Sequence, residues 1–354
     1  MEILKWLQEA TEKNASDIFI GVGRKVSFKI DGIIEPRSDE PSRAEYVNKM
    51  ISELYGMAGR DFSHFEADGD DEFSVAVPGL ARFRVCAYRQ RNTNASVIRV
   101  VRFGIPDYET LNIPDGIMEI ASAKSGLVLV TGPAGSGKST TIACILDNIN
   151  KTRNCHVITL EDPIEYLHRD NKSLFSQREI STDTSSYSSA LRACLRKAPD
   201  IIHIGEMRDL ETIGIALSAA ETGHLVISTL HTAGAVSTLD RIVDVFPPNQ
   251  QRQIQVQLSM VLRTVVSQHL LAGKDGGLVP AYEIMRVNKA IGNMIREAKM
   301  HQIDSIIQTS GSEGMISMDS YIFKLYEEGK ITDKTAIESA LNPEQIAHRI
   351  EGKY

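Results

Sequence analysis

A glycine-rich turn set between an apolar run and an amphipathic segment constrains this chain more than any other feature. Residues 126–150 read GLVLVTGPAGSGKSTTIACILDNIN. The apolar run 127–130 predicts a buried strand, and Ile142, Ile145, Leu146 and Ile149 fall at helical spacing. Between them Gly132, Pro133, Ala134, Gly135, Ser136, Gly137, Lys138 and Ser139 satisfy G-x-x-x-x-G-K-[ST], in the strand-to-helix setting that the pattern requires. Glycine permits backbone turns that a side chain forbids, so successive amides can point inward at phosphate oxygens, and a helix N-terminus adds partial positive charge. The loop, taken through Thr140, is therefore expected to bind the phosphates of a nucleoside triphosphate. Lys138 would reach the β- and γ-phosphates, and the Ser139 hydroxyl would hold Mg²⁺.

The rest of the chain has to provide a fold around that loop. Its 354 residues suffice for two domains or one large one. The net charge of −7 argues against a protein whose main partner is nucleic acid. Cys86, Cys144, Cys155 and Cys194 are scattered and give no zinc or disulfide signature. Glu2, Lys5 and Glu9 interrupt the first apolar residues, which excludes a signal peptide, and no uncharged apolar run approaches the roughly 18 residues of a membrane span. The expectation is a cytoplasmic α/β protein.

Residues 1–102 read as a small α/β domain. Ile3, Leu4, Leu7 and Ala10 mark a first helix, 17–20 and 26–30 are strand-like, and Asp31-Gly32 signals a turn. A helix is expected over 43–55, a hairpin from 73–77 and 81–88 around Pro78-Gly79, and a further strand over 96–101. Segment 103–114, with two prolines and a glycine, reads as a linker, and 115–354 as a second domain. In that domain short apolar runs at 127–131, 156–160, 201–204 and 225–229 alternate with helical stripes, among them 210–221 and one carried by Tyr187, Leu191, Cys194 and Leu195. This predicts a largely parallel sheet covered on both faces. After Pro280 the chain is expected to be helical, with Ile291, Met294, Ile295 and Ala298 on one face and Asp319, Asp333 and Asn342 as N-caps.

In open parallel sheets, ligands sit at the carboxyl ends of the strands. The run 156–160 ends in Glu161-Asp162, 201–204 in Gly205-Glu206 and 225–229 in His231, so all three endings should gather near the phosphate loop. Phosphoryl transfer needs a metal to neutralise the β- and γ-oxygens and a group to orient the attacking water. Glu206, in the stretch DIIHIGE, is expected to hold the Mg²⁺ or its water, and Glu161 to align or deprotonate the attacking water. His231 is placed to touch the γ-phosphate. His224, seven residues earlier, falls on the opposite strand face, a poor metal pair. Arg82, Arg84, Arg89, Arg91, Arg99 and Arg102 crowd one segment. On spacing alone they are equally a solvated sheet face or a phosphate-facing patch.

The stretches GPAGSGKSTT, ITLEDPIEY, IGEMRDLET and GHLVISTLHT resemble the Walker A, Asp box, Walker B and His box of the type II/type IV secretion ATPases, and the resemblance covers nearly the whole chain. AIGNMIRE at 290–297 and IIQTSGSEGMISMD at 306–319 are similar to the branch of that superfamily that retracts type IV pili. Neither the extra N-terminal domain nor the four-cysteine zinc element usual in extension ATPases is read in these residues, so a retraction-type motor is the expectation. Gly292 stands where the branch's motif has Arg, at roughly 1 kcal/mol relative to Ala in a helix. His269, in SQHLL, stands where Arg is common. The resemblance implies a PAS-like N-terminal domain, a RecA-like ATPase domain and a homohexamer at the cytoplasmic face of the membrane. It also implies a platform protein of the pilus machinery as partner, and ATP hydrolysis that drives pilin depolymerisation and twitching. It assigns Arg84 and Arg99 to the ATP of a neighbouring subunit. A related secretion ATPase with another partner, a slow nucleotide-gated regulator and a DNA-stimulated motor are the competing expectations.

Overall fold

The computed structural model describes residues 1–30, 32–101 and 104–352. Asp31 of the expected turn, Arg102 of the arginine segment and Phe103 at the head of the expected linker lie outside the described residues. The chain forms two compact units, one of residues 1–104 with 165–167, the other of 105–164 with 168–354.

The first unit is an antiparallel sheet of six strands: β1 (Asp17–Gly21), β2 (Ser27–Ile30), β3 (Ile33–Pro36), β4 (Asp70–Val77), β5 (Ala81–Gln90) and β6 (Thr93–Val101), in the order β3-β2-β1-β6-β5-β4. Alternation decides its faces. Ile18, Phe28, Val75, Phe83, Val85 and Ile98 point to a core closed by helices Glu2–Glu12, Ala44–Ala58 and Ser63–Asp68. Helix Glu2–Glu12 buries Ile3, Leu7 and Ala10 at spacings of four and three. Strand β3 and helix Ser63–Asp68 were not anticipated from the sequence. Ile33 and Ile34 of β3 are exposed, so β3 has no buried alternation to announce it.

The second unit is built on seven strands: β7 (Gly126–Thr131), β8 (His156–Glu161), β9 (Leu174–Glu179), β10 (Ile201–Ile204), β11 (Leu225–Leu230), β12 (Leu262–Ala272) and β13 (Leu278–Arg286), in the order β13-β12-β7-β11-β10-β8-β9. Pairings are parallel except at the β12–β13 edge. Alternate residues of β7 enter different cores. Leu127 and Leu129 pack with helices Leu210–Glu221 and Pro248–Val261, whereas Val128 and Val130 pack with helix Lys138–Thr152. A sheet covered on both faces explains why its strands are continuous apolar runs. Ile105, Tyr108, Leu111 and Ile113, within the segment expected as a linker, pack against the second of these cores.

Several expectations need correction. The chain does not become helical after Pro280, because Pro280 lies inside β13 and faces Leu270 of β12. Strand β13 is the sheet edge, where a residue without an N–H is tolerated. The helix expected from Ile291 runs Lys289–Arg296, and Ala298 lies beyond it with φ 59. Ser317 and Thr332, rather than Asp319 and Asp333, cap the helices Met318–Glu327 and Asp333–Ser339, accepting from Ser320 N and Thr335 N. Asn342 caps helix Pro343–Glu351 as anticipated. Among the described residues no helix is long and apolar enough to cross a membrane.

Candidate active site

Strand register brings the expected residues together. Strand β11 pairs with β7 so that Leu230 faces Thr131, which sets His231 beside Gly132. Strand β10 pairs with β8 so that Ile204 faces Leu160, which sets Gly205 beside Glu161. Parallel strands all point the same way, so Gly132, Glu161, Glu206 and His231 leave the sheet at the carboxyl ends of the strands.

The loop itself is held in an unusual backbone conformation. Gly132, Gly135 and Gly137 have φ of 140°, 76° and 87°, values that side chains disfavour. Two of these glycines are also required by a neighbour. A Cβ on Gly132 would lie 2.2 Å from the Gln268 carbonyl oxygen, and one on Gly137 would lie 2.8 Å from Gln268 Nε2. Gln268 is buried in β12, and its Oε1 accepts from Thr141 Oγ1 at 2.7 Å. A neutral buried hydrogen bond of this kind contributes about 1 kcal/mol. Thr131 Oγ1 and Ser267 Oγ, 2.8 Å apart, brace the loop's other end. Lys138, 7% exposed, donates to the carbonyls of Gly132 and Pro133, each at 2.8 Å, so its ammonium sits over the loop. Ser136 Oγ is buried there without a hydrogen-bond partner. A cradle that a Cβ would fill, an ammonium and an orphaned hydroxyl fit phosphate oxygens.

The acids occupy distinct settings. Glu161 Oε1 accepts from Thr159 Oγ1 at 2.5 Å and from Gln177 Nε2 at 3.2 Å. The parallel pairing of Thr159 with Gln177 places these two donors side by side. Glu206 is mostly buried, with Arg208 Nε at 2.6 Å and His231 Nε2 at 3.5 Å from its Oε2. The strand ends are welded where they meet. Gly205 N donates to Leu160 O at 2.7 Å, and Thr229 Oγ1 donates to Gly205 O at 2.6 Å. Tyr187 reports the charge gathered there. Burial pushes its phenol well above the ordinary range, and the negative charges of Asp162, Glu206 and Glu161 push it further. A Cβ on Gly205 would come within 2.7 Å of the Tyr187 hydroxyl, so a side chain there would crowd the phenol.

His203, inside β10, is a core residue. Its Nδ1 lies 3.1 Å from Ile227 O, and burial lowers its pKa to about 4, keeping the ring neutral. His224 Nδ1 lies 2.9 Å from Ala219 O, which ties the end of helix Leu210–Glu221 to β11. Asp209 caps that helix, accepting from Thr212 N at 2.8 Å. Among the described residues no group of three or more His, Cys, Asp or Glu side chains forms a metal cluster.

Arg84 and Arg99 face each other directly across β5 and β6, on the sheet face opposite Phe83, Val85 and Ile98. Like charges so placed repel. Each has its own acid: Arg84 pairs with Glu72, and Arg99 Nε donates to Asp17 Oδ1 at 3.0 Å. The Arg84 and Arg99 side chains are 34% and 63% exposed. Arg89 stacks over Phe65 at 5.5 Å, and Arg91 sits in the β5–β6 turn with φ 46.

Sequence reasoning missed Gln268, Gln177, Thr159 and Tyr187. The signal for Gln268 lies in SQHLL, one residue before His269.

The sequence profile of the family described as Type II/IV secretion system protein matches residues 2–317. The type IV pilus retraction ATPase PilT of Pseudomonas aeruginosa is 43% identical over 346 residues, 98% of this chain and 100% of that protein. A twitching motility protein of Neisseria gonorrhoeae is 44% identical over 86% of this chain and 81% of its own length. A crystal structure of the pilus retraction motor PilT with bound ADP superposes with TM-score 0.90 at 44% identity, covering 97% of this chain and 98% of that one.

Proposed function

The chain belongs to the Type II/IV secretion system protein family, and from that premise we propose that it is a hexameric ATPase that drives the retraction of type IV pili. The observation that carries the proposal is the near-complete alignment with a retraction ATPase, joined to the convergence of loop, acids and histidine at the carboxyl ends of the parallel strands. We read the first unit as PAS-like. The working position is the cytoplasmic face of the membrane, reached through a platform protein of the pilus machinery.

Each residue has a role set by its surroundings. The backbone amides of residues 134–140 and the ammonium of Lys138 hold the ATP phosphates. When bound, Mg²⁺ neutralises the β- and γ-oxygens, and Ser139 and Glu206 would hold it. Glu161, its Oε1 fixed by Thr159 and Gln177, orients the attacking water and takes its proton. His231 touches the γ-phosphate from beside Glu206. Arg84 and Arg99 of a neighbouring subunit stabilise charge on the transferring phosphoryl group.

Retraction also needs an element that passes work to the pilus machinery. Helix Lys289–Arg296 turns Ile291 and Ile295 inward, while Asn293, Arg296 and Glu297 are exposed. Substitutions on a merely solvated helix face change stability by only about ±0.5 kcal/mol. The double change Arg296→Ala with Glu297→Ala is expected to leave melting temperature, hexamer and ATPase rate nearly unchanged while retraction in cells fails. Normal retraction, or an equal loss of ATPase activity, would remove these residues from the coupling role.

A further inference from the structure

Strand β13 contributes a buried carboxylate that the hydrolysis scheme leaves unused. Glu283 is 4% exposed and faces Ser267 of β12, the residue that braces Thr131 beside the phosphate loop. Its two oxygens serve the starts of two helices. Ala235 N donates to Oε1 at 2.7 Å, and Met318 N donates to Oε2 at 3.4 Å. Ala235 opens helix Ala235–Asp244, directly after the loop 231–234 that begins with His231. Met318 opens helix Met318–Glu327, which shares a small core with helices Asp333–Ser339 and Pro343–Glu351. Both helices present their positive ends to the carboxylate.

The position calls for two acceptor oxygens, one for each helix start. Burying a carboxylate is costly unless hydrogen bonds compensate, and burial does raise the Glu283 pKa against the lowering by the two amides. A glutamine would offer one acceptor and would turn an NH₂ toward an amide N–H. The contacts also span a cleft of about 420 Å³, lined by Gly234, Asp240, Glu283, Asp304, Asp319 and Asn342. The start of the His231-side helix and the start of helix Met318–Glu327 thus share one side chain, Glu283.

We propose that Glu283 is a positioning residue that ties the loop carrying His231 to the C-terminal helices, so that a nucleotide-dependent change in the loop reaches those helices. The proposal rests on the reading that His231 faces the nucleotide. It is independent of the coupling role given to Arg296 and Glu297.

The test compares full-length hexamers of wild type, Glu283→Gln and Asp319→Asn. Asp319 is the structural control. It accepts from Leu341 N at 2.7 Å and Asn342 N at 2.9 Å, and these bonds join the C-terminal helices to one another. Glu283→Gln should bind a non-hydrolysable ATP analogue within about threefold of wild type while kcat falls at least about tenfold. Asp319→Asn should lower the melting temperature and keep kcat. In hydrogen exchange the analogue should protect 231–237 and 317–320 together in wild type, and only the first segment in Glu283→Gln. Should Glu283→Gln fail to fold, Glu283→Asp carries the same expectations, because it shortens the reach and keeps the charge. A kcat within about twofold of wild type, or joint protection of both segments in the Glu283 variant, overturns the proposal. A wild-type hexamer without ATPase activity would instead overturn the reading of the site, and the exchange measurement would still judge the tie.

Discussion

Replacing Glu161 with Gln lowers steady-state ATP hydrolysis by about 10²- to 10⁴-fold, the usual cost of losing a positioned proton-transfer group, and leaves ATP binding intact. The substitution keeps size and shape and removes only basicity. Thr159 Oγ1 and Gln177 Nε2 can still donate to the retained amide oxygen, so the side chain keeps its place. Lys138→Ala gives the contrasting result. Its ammonium sits over the Gly132 and Pro133 carbonyls inside the cradle, so its removal abolishes nucleotide binding and with it turnover. Measured side by side by nucleotide titration and phosphate release, the two variants separate binding from chemistry. Wild-type-like turnover in Glu161→Gln would take the water-aligning role away from it.

Arg84→Ala and Arg99→Ala should each lose about 10³-fold or more in ATPase rate, the contribution of an arginine supplied in trans, while keeping the fold. The fold should survive because both side chains lie on the sheet face opposite the core, because the exposed pair with Glu72 contributes little to stability, and because buried Asp17 keeps the hydrogen bond from Ser16 Oγ at 2.8 Å when Arg99 is removed. Mixing either arginine variant with Glu161→Gln then becomes informative. In a mixed ring some interfaces combine an intact arginine pair from one subunit with an intact Glu161 from the next. Those interfaces should hydrolyse ATP, so activity should reappear on mixing two inactive proteins. Freely exchanging mixed rings with no recovery would contradict the assignment of Arg84 and Arg99 to a neighbouring nucleotide.

What was legible in the sequence follows from how local each signal is. The phosphate loop is contiguous, and its glycines, lysine and serine announce themselves by spacing. The buried parallel strands are short apolar runs, and the hairpin β4–β5 alternates apolar and polar residues around a Pro-Gly turn. Glu161, Glu206 and His231 could be placed at one end of the sheet because a general rule about strand ends stands in for knowledge of the register. Gln268 was not found, because its partner Thr141 lies 127 residues away and only the pairing of β12 with β7 brings them together. Helix Pro248–Val261 was missed because its first turns, PNQQRQ, show little apolar periodicity. Strand β13 was hidden by Pro280, which would disqualify a central strand and is tolerated at an edge. Asp319 and Asp333 misled because residues just before them, Ser317 and Thr332, also cap helices.

The central claim, that ATP hydrolysis by this chain withdraws pili, is tested most directly by counting surface pili and measuring twitching in a deletion strain that carries either the wild-type chain or Glu161→Gln. The deletion should leave cells with more surface pili and no twitching. Wild type should restore both, and Glu161→Gln neither. Twitching restored by Glu161→Gln, or a deletion strain that loses its surface pili instead of accumulating them, would contradict the claim.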